Sequence, residues 1–176
     1  MKINYFLTLL LLIPCLSFAQ AKLEKQTFLD NKVALLVPAG FKPMSADMMA
    51  QKYPNQSQKP DVLLTDENAE VNLIITRTPQ PVQSAQMGQY KDFMVSSLKR
   101  SHPDAKFLED GIKDINGKKV GYFKMISPAV DQNVYVMYFF TNVDGKAVIF
   151  TFNCTEKLLP QWKDAADSMM MSLKVM

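Results

Sequence analysis

Histidine and cysteine, the side chains most often recruited for metal binding and nucleophilic catalysis, are nearly missing from this sequence. It has one histidine and two cysteines in 176 residues. His102 stands in Ser101-His102-Pro103, where a helix should be ending ahead of the proline. Any mechanism that needs two histidines is excluded. Glycine is scarce too: the six present form neither a Gly-x-Ser-x-Gly elbow nor a phosphate-cradling loop. There is no CxxC pair and no H-E-x-x-H helix. An excess of one charge is also lacking, since 20 basic residues stand against 17 acidic ones. Nothing resembles the basic stripe that nucleic-acid binding needs, and Lys118-Lys119 reads as a solvated cluster beside a turn.

What is present begins with an export signal. Lys2 gives a positive start, Phe6 to Leu12 is apolar apart from Thr8, and Pro14 follows. Ser17-Phe18-Ala19 then supplies a small-x-small cleavage site before Gln20. The apolar stretch is shorter than the roughly 20 residues a membrane-spanning helix requires. Cys15 follows Ile13-Pro14, where a lipidation motif wants small residues, so lipidation is not expected. Residues 1–19 are therefore expected to be a signal peptide. Cleavage leaves residues 20–176 as one secreted or periplasmic domain with a charge near +2. Cys15 leaves with the signal, so Cys154 has no intramolecular disulfide partner. It follows the apolar run Ala147–Phe152, and in an extended strand it shares a side with Phe150 and Phe152. A buried structural thiol is expected.

Turn signals and apolar runs alternate along the rest of the chain. Thr27–Leu29 and Val33–Val37 read as strands, as do Asp61–Thr65 and Glu70–Thr76, with Pro79 and Pro81 breaking the sheet. Lys42–Pro60 reads as irregular, with a possible helical turn from Ser45 through Met49. Ser84 can cap a helix to about Arg100, with Met87, Tyr90, Phe93, Met94 and Leu98 on one apolar face. Asn116-Gly117 and Asp144-Gly145 mark hairpins between four further strands. A last helix, about Leu159 to Leu173, carries Trp162, Ala165, Ala166, Met169 and Leu173 on one face. The residues up to Val175 return to a sheet edge. Hairpins make the sheet antiparallel, yet Val134–Phe140 shows no apolar–polar alternation, and Ala147–Phe152 and Val33–Val37 are nearly as continuous. Such strands must be covered on both faces. The expected fold is α+β, an antiparallel sheet with helices on both faces.

Candidate constellations are few. Asp61, Asp66, Glu67 and Glu70 surround a strand–loop–strand without calcium-loop spacing, and read as a solvated loop. Glu109, Asp110 and Asp114 read the same way. Of the 12 methionines, Met169-Met170-Met171 are consecutive and point in three directions, so they cannot share one ion. The stretch Phe41–Pro60 is different, because it carries Phe41, Met44, Met48, Met49 and Tyr53 in a connection without clear structure. Those five residues are the candidate binding site: either they cap the sheet edge or they wait for a partner.

The punctuation Val37-Pro38-Ala39-Gly40-Phe41, the Asn116-Gly117 hairpin and the ending Ser172-Leu173-Lys174-Val175 follow a pattern of strands, helix, strands and final helix. In that order the sequence resembles the PsbP-like, Mog-type superfamily, which includes secreted bacterial DcrB-like proteins. The resemblance implies an antiparallel sheet sandwiched by helices and a role in binding or assembly. It implies no cofactor and no catalytic motif, so no functional residue is carried over. The leading expectation is a non-enzymatic envelope module with a protein partner. A methionine-based copper-binding protein and a hydrolase using carboxylates are the alternatives.

Overall fold

In the computed structural model, which describes residues 21–55 and 59–176, ten strands and three helices follow in order. The expected signal peptide lies outside the described residues. β1 (Leu23–Phe28) and β2 (Val33–Pro38) form a hairpin. They are followed by β3 (Lys42–Pro43), α1 (Ala46–Lys52), β4 (Val62–Thr65) and β5 (Val71–Pro81). Next come α2 (Met87–Ser101), β6 (Lys106–Ile115), β7 (Lys118–Pro128), β8 (Asn133–Val143) and β9 (Lys146–Thr155). The chain closes with α3 (Leu159–Met171) and β10 (Lys174–Val175). All pairings are antiparallel. Seven strands form one sheet in the order β3-β4-β5-β9-β8-β7-β6, and β1-β2-β10 form a second.

The local chemistry explains the large sheet. Asn116 and Gly117 take φ values of 48° and 77°, and Asp144 and Gly145 take 51° and 81°. Both turns thus have two residues in the left-handed region, the mirror-image turn whose twist suits a hairpin. Gly121 lies opposite Phe140, and a Cβ there would come within 2.3 Å of the Phe140 ring. Only glycine lets that ring lie across β7. Residues alternate strictly between the two faces. Leu73, Ile75, Phe150, Phe152, Met137 and Phe139 enter the layer shared with β2 and α3. Phe123, Met125, Phe140 and Ala147 enter the opposite layer beneath α2. The unalternating strands are covered on both sides, as expected, and the fold is α+β.

Four details differ from the sequence reading. Val33–Val37 is not a central strand of the large sheet; β2 belongs to the small sheet, which shares one face of the sandwich with α3. β5 continues through Pro79 to Pro81, with its ladder to β9 irregular after Arg77. Its other side pairs with β4 only as far as Ile75, so the missing proline N–H groups leave no bond unmade there. Helix α2 begins at Met87 after a 3-10 turn at Ser84–Gln86, where the Gln83 N–H donates to Gln86 Oε1 at 3.0 Å in place of a Ser84 cap. Phe93 is 61% exposed, and Val95 is buried instead. At 3.6 residues per turn Phe93 lies about 120° round the helix from Met87, outside the contact stripe.

Candidate functional site

Of the segment expected to be irregular, residues 42–53 are ordered by specific contacts. After β3 the Met44 N–H donates to the Leu63 carbonyl at 3.0 Å, which holds the chain against β4. Ser45 caps α1: its hydroxyl accepts from the Met48 N–H at 3.3 Å. Asp47 in the first turn and Lys52 in the last suit the helix dipole. The helix ends where the Tyr53 N–H donates to the Met49 carbonyl at 2.9 Å.

These contacts divide the five nominated residues. Phe41 and Met44 are buried, and the Phe41 ring packs against Trp162 of α3 at 5.6 Å. They anchor the segment. Met48 is 36% exposed, while Met49 and Tyr53 are half-buried. No residue of α1 is buried. Met44, Met49 and Tyr53 line a cleft of 340 Å³ together with Ala46, Ala50 and Lys59. Met44 is therefore a wall of this cleft seen from inside the fold, whereas Met48 points elsewhere. Burial raises the Tyr53 phenol above its ordinary pKa, so it stays a neutral hydroxyl donor at physiological pH.

The acidic residues around β4 do not converge on a reaction centre. Asp61 accepts from the Arg77 Nε at 2.8 Å and from the Arg77 backbone N–H at 2.7 Å. Asp66, at the other end of β4, accepts from the Glu70 and Val71 N–H groups at 2.9 and 3.0 Å and so closes the turn to β5. Both carboxylates are engaged in holding the backbone. Among the described residues no group of three His, Cys, Asp or Glu side chains is placed to hold a metal ion. Met169 and Met170 are buried in the core and Met171 is 51% exposed, so the methionine run is divided between core and surface.

One polar constellation escaped the sequence reading. Lys124 is 8% exposed, yet its Nζ lies 2.9 Å from Glu109 and 2.8 Å from Asp167 Oδ1. The second contact is ionic and not a well-aligned hydrogen bond, since that oxygen accepts none. Glu109 also accepts from the Tyr122 hydroxyl at 2.8 Å. Burial alone would lower the Lys124 pKa, but the two carboxylates outweigh it and hold the ammonium above its ordinary value. Lys124 and Tyr122 in turn hold Glu109 below the usual carboxylate range. The arrangement ties edge strand β6 through β7 to α3. Its signal in the sequence was a lysine inside the apolar run Tyr122-Phe123-Lys124-Met125. Cys154 is buried beside this layer, and desolvation pushes its thiol up to about 12.

The architecture is that of a PsbP-like, Mog-type fold. Cyanobacterial PsbP (CyanoP) from Synechocystis superposes with a TM-score of 0.63 at 15% identity, covering 94% of this chain and 99% of that one. The Saccharomyces cerevisiae Ran-binding protein Mog1p gives a TM-score of 0.57 at 11% identity, over 89% and 96% of the two chains. LpqN of Mycobacterium tuberculosis, involved in cell envelope biogenesis, gives 0.55 at 12% identity, over 88% and 90%. No family model and no curated protein matches the sequence. Among the described residues no helix is long and apolar enough to cross a membrane.

Proposed function

We propose that this protein is a non-enzymatic binding or assembly module of the cell envelope. Residues 1–19 direct its export, and residues 20–176 form one domain that meets a protein partner through the outer surface of α1. Met48, Met49 and Tyr53 make the contact, while Phe41 and Met44 fix the segment to the sheet. The observation that carries this reading is that α1 fully buries none of its seven residues, although Met49 lines a cleft and Met48 stands 36% exposed. Apolar side chains left in water contribute nothing to folding. The flexible thioether suits a surface that must adapt to another protein. Neighbours of the same fold support the class of function: one binds Ran, and another takes part in envelope biogenesis.

The test is affinity capture of the exported protein from its native envelope, compared with the Met48→Ser, Met49→Ser double variant. The reading expects a defined protein partner captured by the wild type and lost from the variant at unchanged melting temperature. Undiminished capture by the double variant overturns it.

A further inference from the structure

The two sheets face each other across the core, and at one end their layer is not closed. There the β1–β2 turn, the β8–β9 hairpin and the far part of β5 leave a cavity of 230 Å³. Its floor is apolar, made by Leu29, Val143 and Val148. Its rim is cationic: Lys32, Arg77 and Lys146 stand against one carboxylate, Asp144. The Lys32 ammonium contacts Asp144 at 2.5 Å, and the Arg77 guanidinium engages Asp61 through Nε and Nη2. Each paired cation keeps unused N–H donors, since lysine carries three and arginine five. Lys146 is exposed, and its ammonium is in none of the ion pairs or side-chain hydrogen bonds found among the described residues, while its backbone pairs with Val143.

The turn that completes this cavity is unusual. Leu29, Asp30 and Asn31 take φ values of 55°, 57° and 64°, three successive left-handed conformations without a glycine. L-residues disfavour that region, and such conformations persist only where neighbouring contacts impose them. Here the Thr27 hydroxyl donates to Asn31 Oδ1 at 2.9 Å, the Lys32 N–H donates to the Leu29 carbonyl at 3.2 Å, and the Lys32–Asp144 bridge ties the turn to the opposite hairpin. A two-residue turn with glycine would join β1 to β2 without strain. The longer turn instead sets Leu29 partly buried against the core, at the cavity floor.

We propose that this open end of the sandwich is a second binding site, separate from the α1 surface, for a small aliphatic group that carries a carboxylate. The cations select an anion, and the floor of Leu29, Val143 and Val148 selects an aliphatic body. A bare phosphate would leave that floor wet. The volume is below the roughly 300–1,000 Å³ of sites for drug-sized ligands, so the occupant is no larger than one aliphatic residue with its terminal carboxylate. Two sources offer this chemistry: the C-terminus of a peptide ending in leucine or a relative, and a short branched free acid.

Methyl-resolved NMR titration of the exported protein tests the site with three probes: N-acetyl-glycyl-leucine, its C-terminal amide, and 4-methylpentanoate. The expected result is shifts at the Leu29, Val143 and Val148 methyls with a carboxylate probe. Binding of the amide should be weaker by about tenfold or more, the loss expected when a charge-assisted contact is removed. Lys146→Glu should weaken the carboxylates by a similar factor at unchanged melting temperature. Tighter binding of the peptide than of 4-methylpentanoate names a peptide terminus as the source, and the reverse names a free acid; either upholds the site. No shifts at millimolar probe, equal binding of acid and amide, or full affinity in Lys146→Glu would overturn it. None of these readouts depends on the α1 surface, so the two proposals stand or fall separately.

Discussion

Helices α3 and α1 are both short, both rich in methionine, and differ in what they do with it. α3 buries Ala165, Ala166, Met169 and Met170, and its Trp162 packs near both Phe41 and Phe152. α1 has a side-chain cap at its start, which α3 lacks, yet it fully buries none of its residues. The fold needs the side chains of α3, because they cover one face of the large sheet. It needs only the start of the α1 segment, where Phe41 and Met44 are seated. The same residue type is core filling in one helix and a surface available to a partner in the other, and burial is what separates them.

The α3 side of the sheet should respond most strongly. At pH 8 the Cys154 thiol, held near 12, should react with a thiol reagent about a thousandfold more slowly than in the unfolded chain. Rapid labelling of the native protein would place Cys154 outside this layer. Phe152→Ala, at a fully buried ring beneath Trp162, should cost about 3–5 kcal/mol in a denaturant melt. Lys124→Met should cost about 1–3 kcal/mol, since Glu109 and Asp167 lose their cation while staying partly open to water. The same network sets a pH dependence with a definite sign. Glu109 is held below its ordinary value in the fold, so its contribution is complete above that value and is lost as pH falls through the folded pKa. Lys124 is held above its ordinary value, so its contribution is present at neutral pH and disappears only in strong alkali. Glu109→Gln should therefore flatten the acid side of a plot of melting temperature against pH. On α1, by contrast, Met48→Ser should change stability by less than about 0.5 kcal/mol, as expected of a surface position.

Much of the fold was legible because its signals are local. Two hairpins followed from Asn116-Gly117 and Asp144-Gly145, whose small or flexible residues accept positive φ. Double coverage followed from the unbroken apolar run in β8. The burial of Cys154 followed from strand alternation with Phe150 and Phe152. What was missed depends on neighbours far along the chain. The tolerance of β5 for Pro79 and Pro81 rests on β4 stopping short. The separate small sheet rests on β10 pairing with β2 from the opposite end of the sequence. Phe93 was misplaced because an apolar residue about a third of a turn off the contact stripe still falls at a three-residue spacing from Tyr90. Within the nominated segment, the division into anchored and exposed residues was not legible, since Phe41 and Met44 differ from Met48 only in what lies beneath them. Lys124 was passed over because its partners, Glu109 and Asp167, are on β6 and α3.

The central claim is that α1 faces a protein partner while α3, which also carries methionines, serves the core. Site-specific photo-crosslinking in the native envelope tests it directly, with the photoreactive group placed at position 48 of α1 or at the exposed position 171 of α3. The account predicts a discrete adduct with one envelope protein from position 48 and none of that adduct from position 171. The same adduct pattern from both positions, or no adduct from position 48, would contradict it.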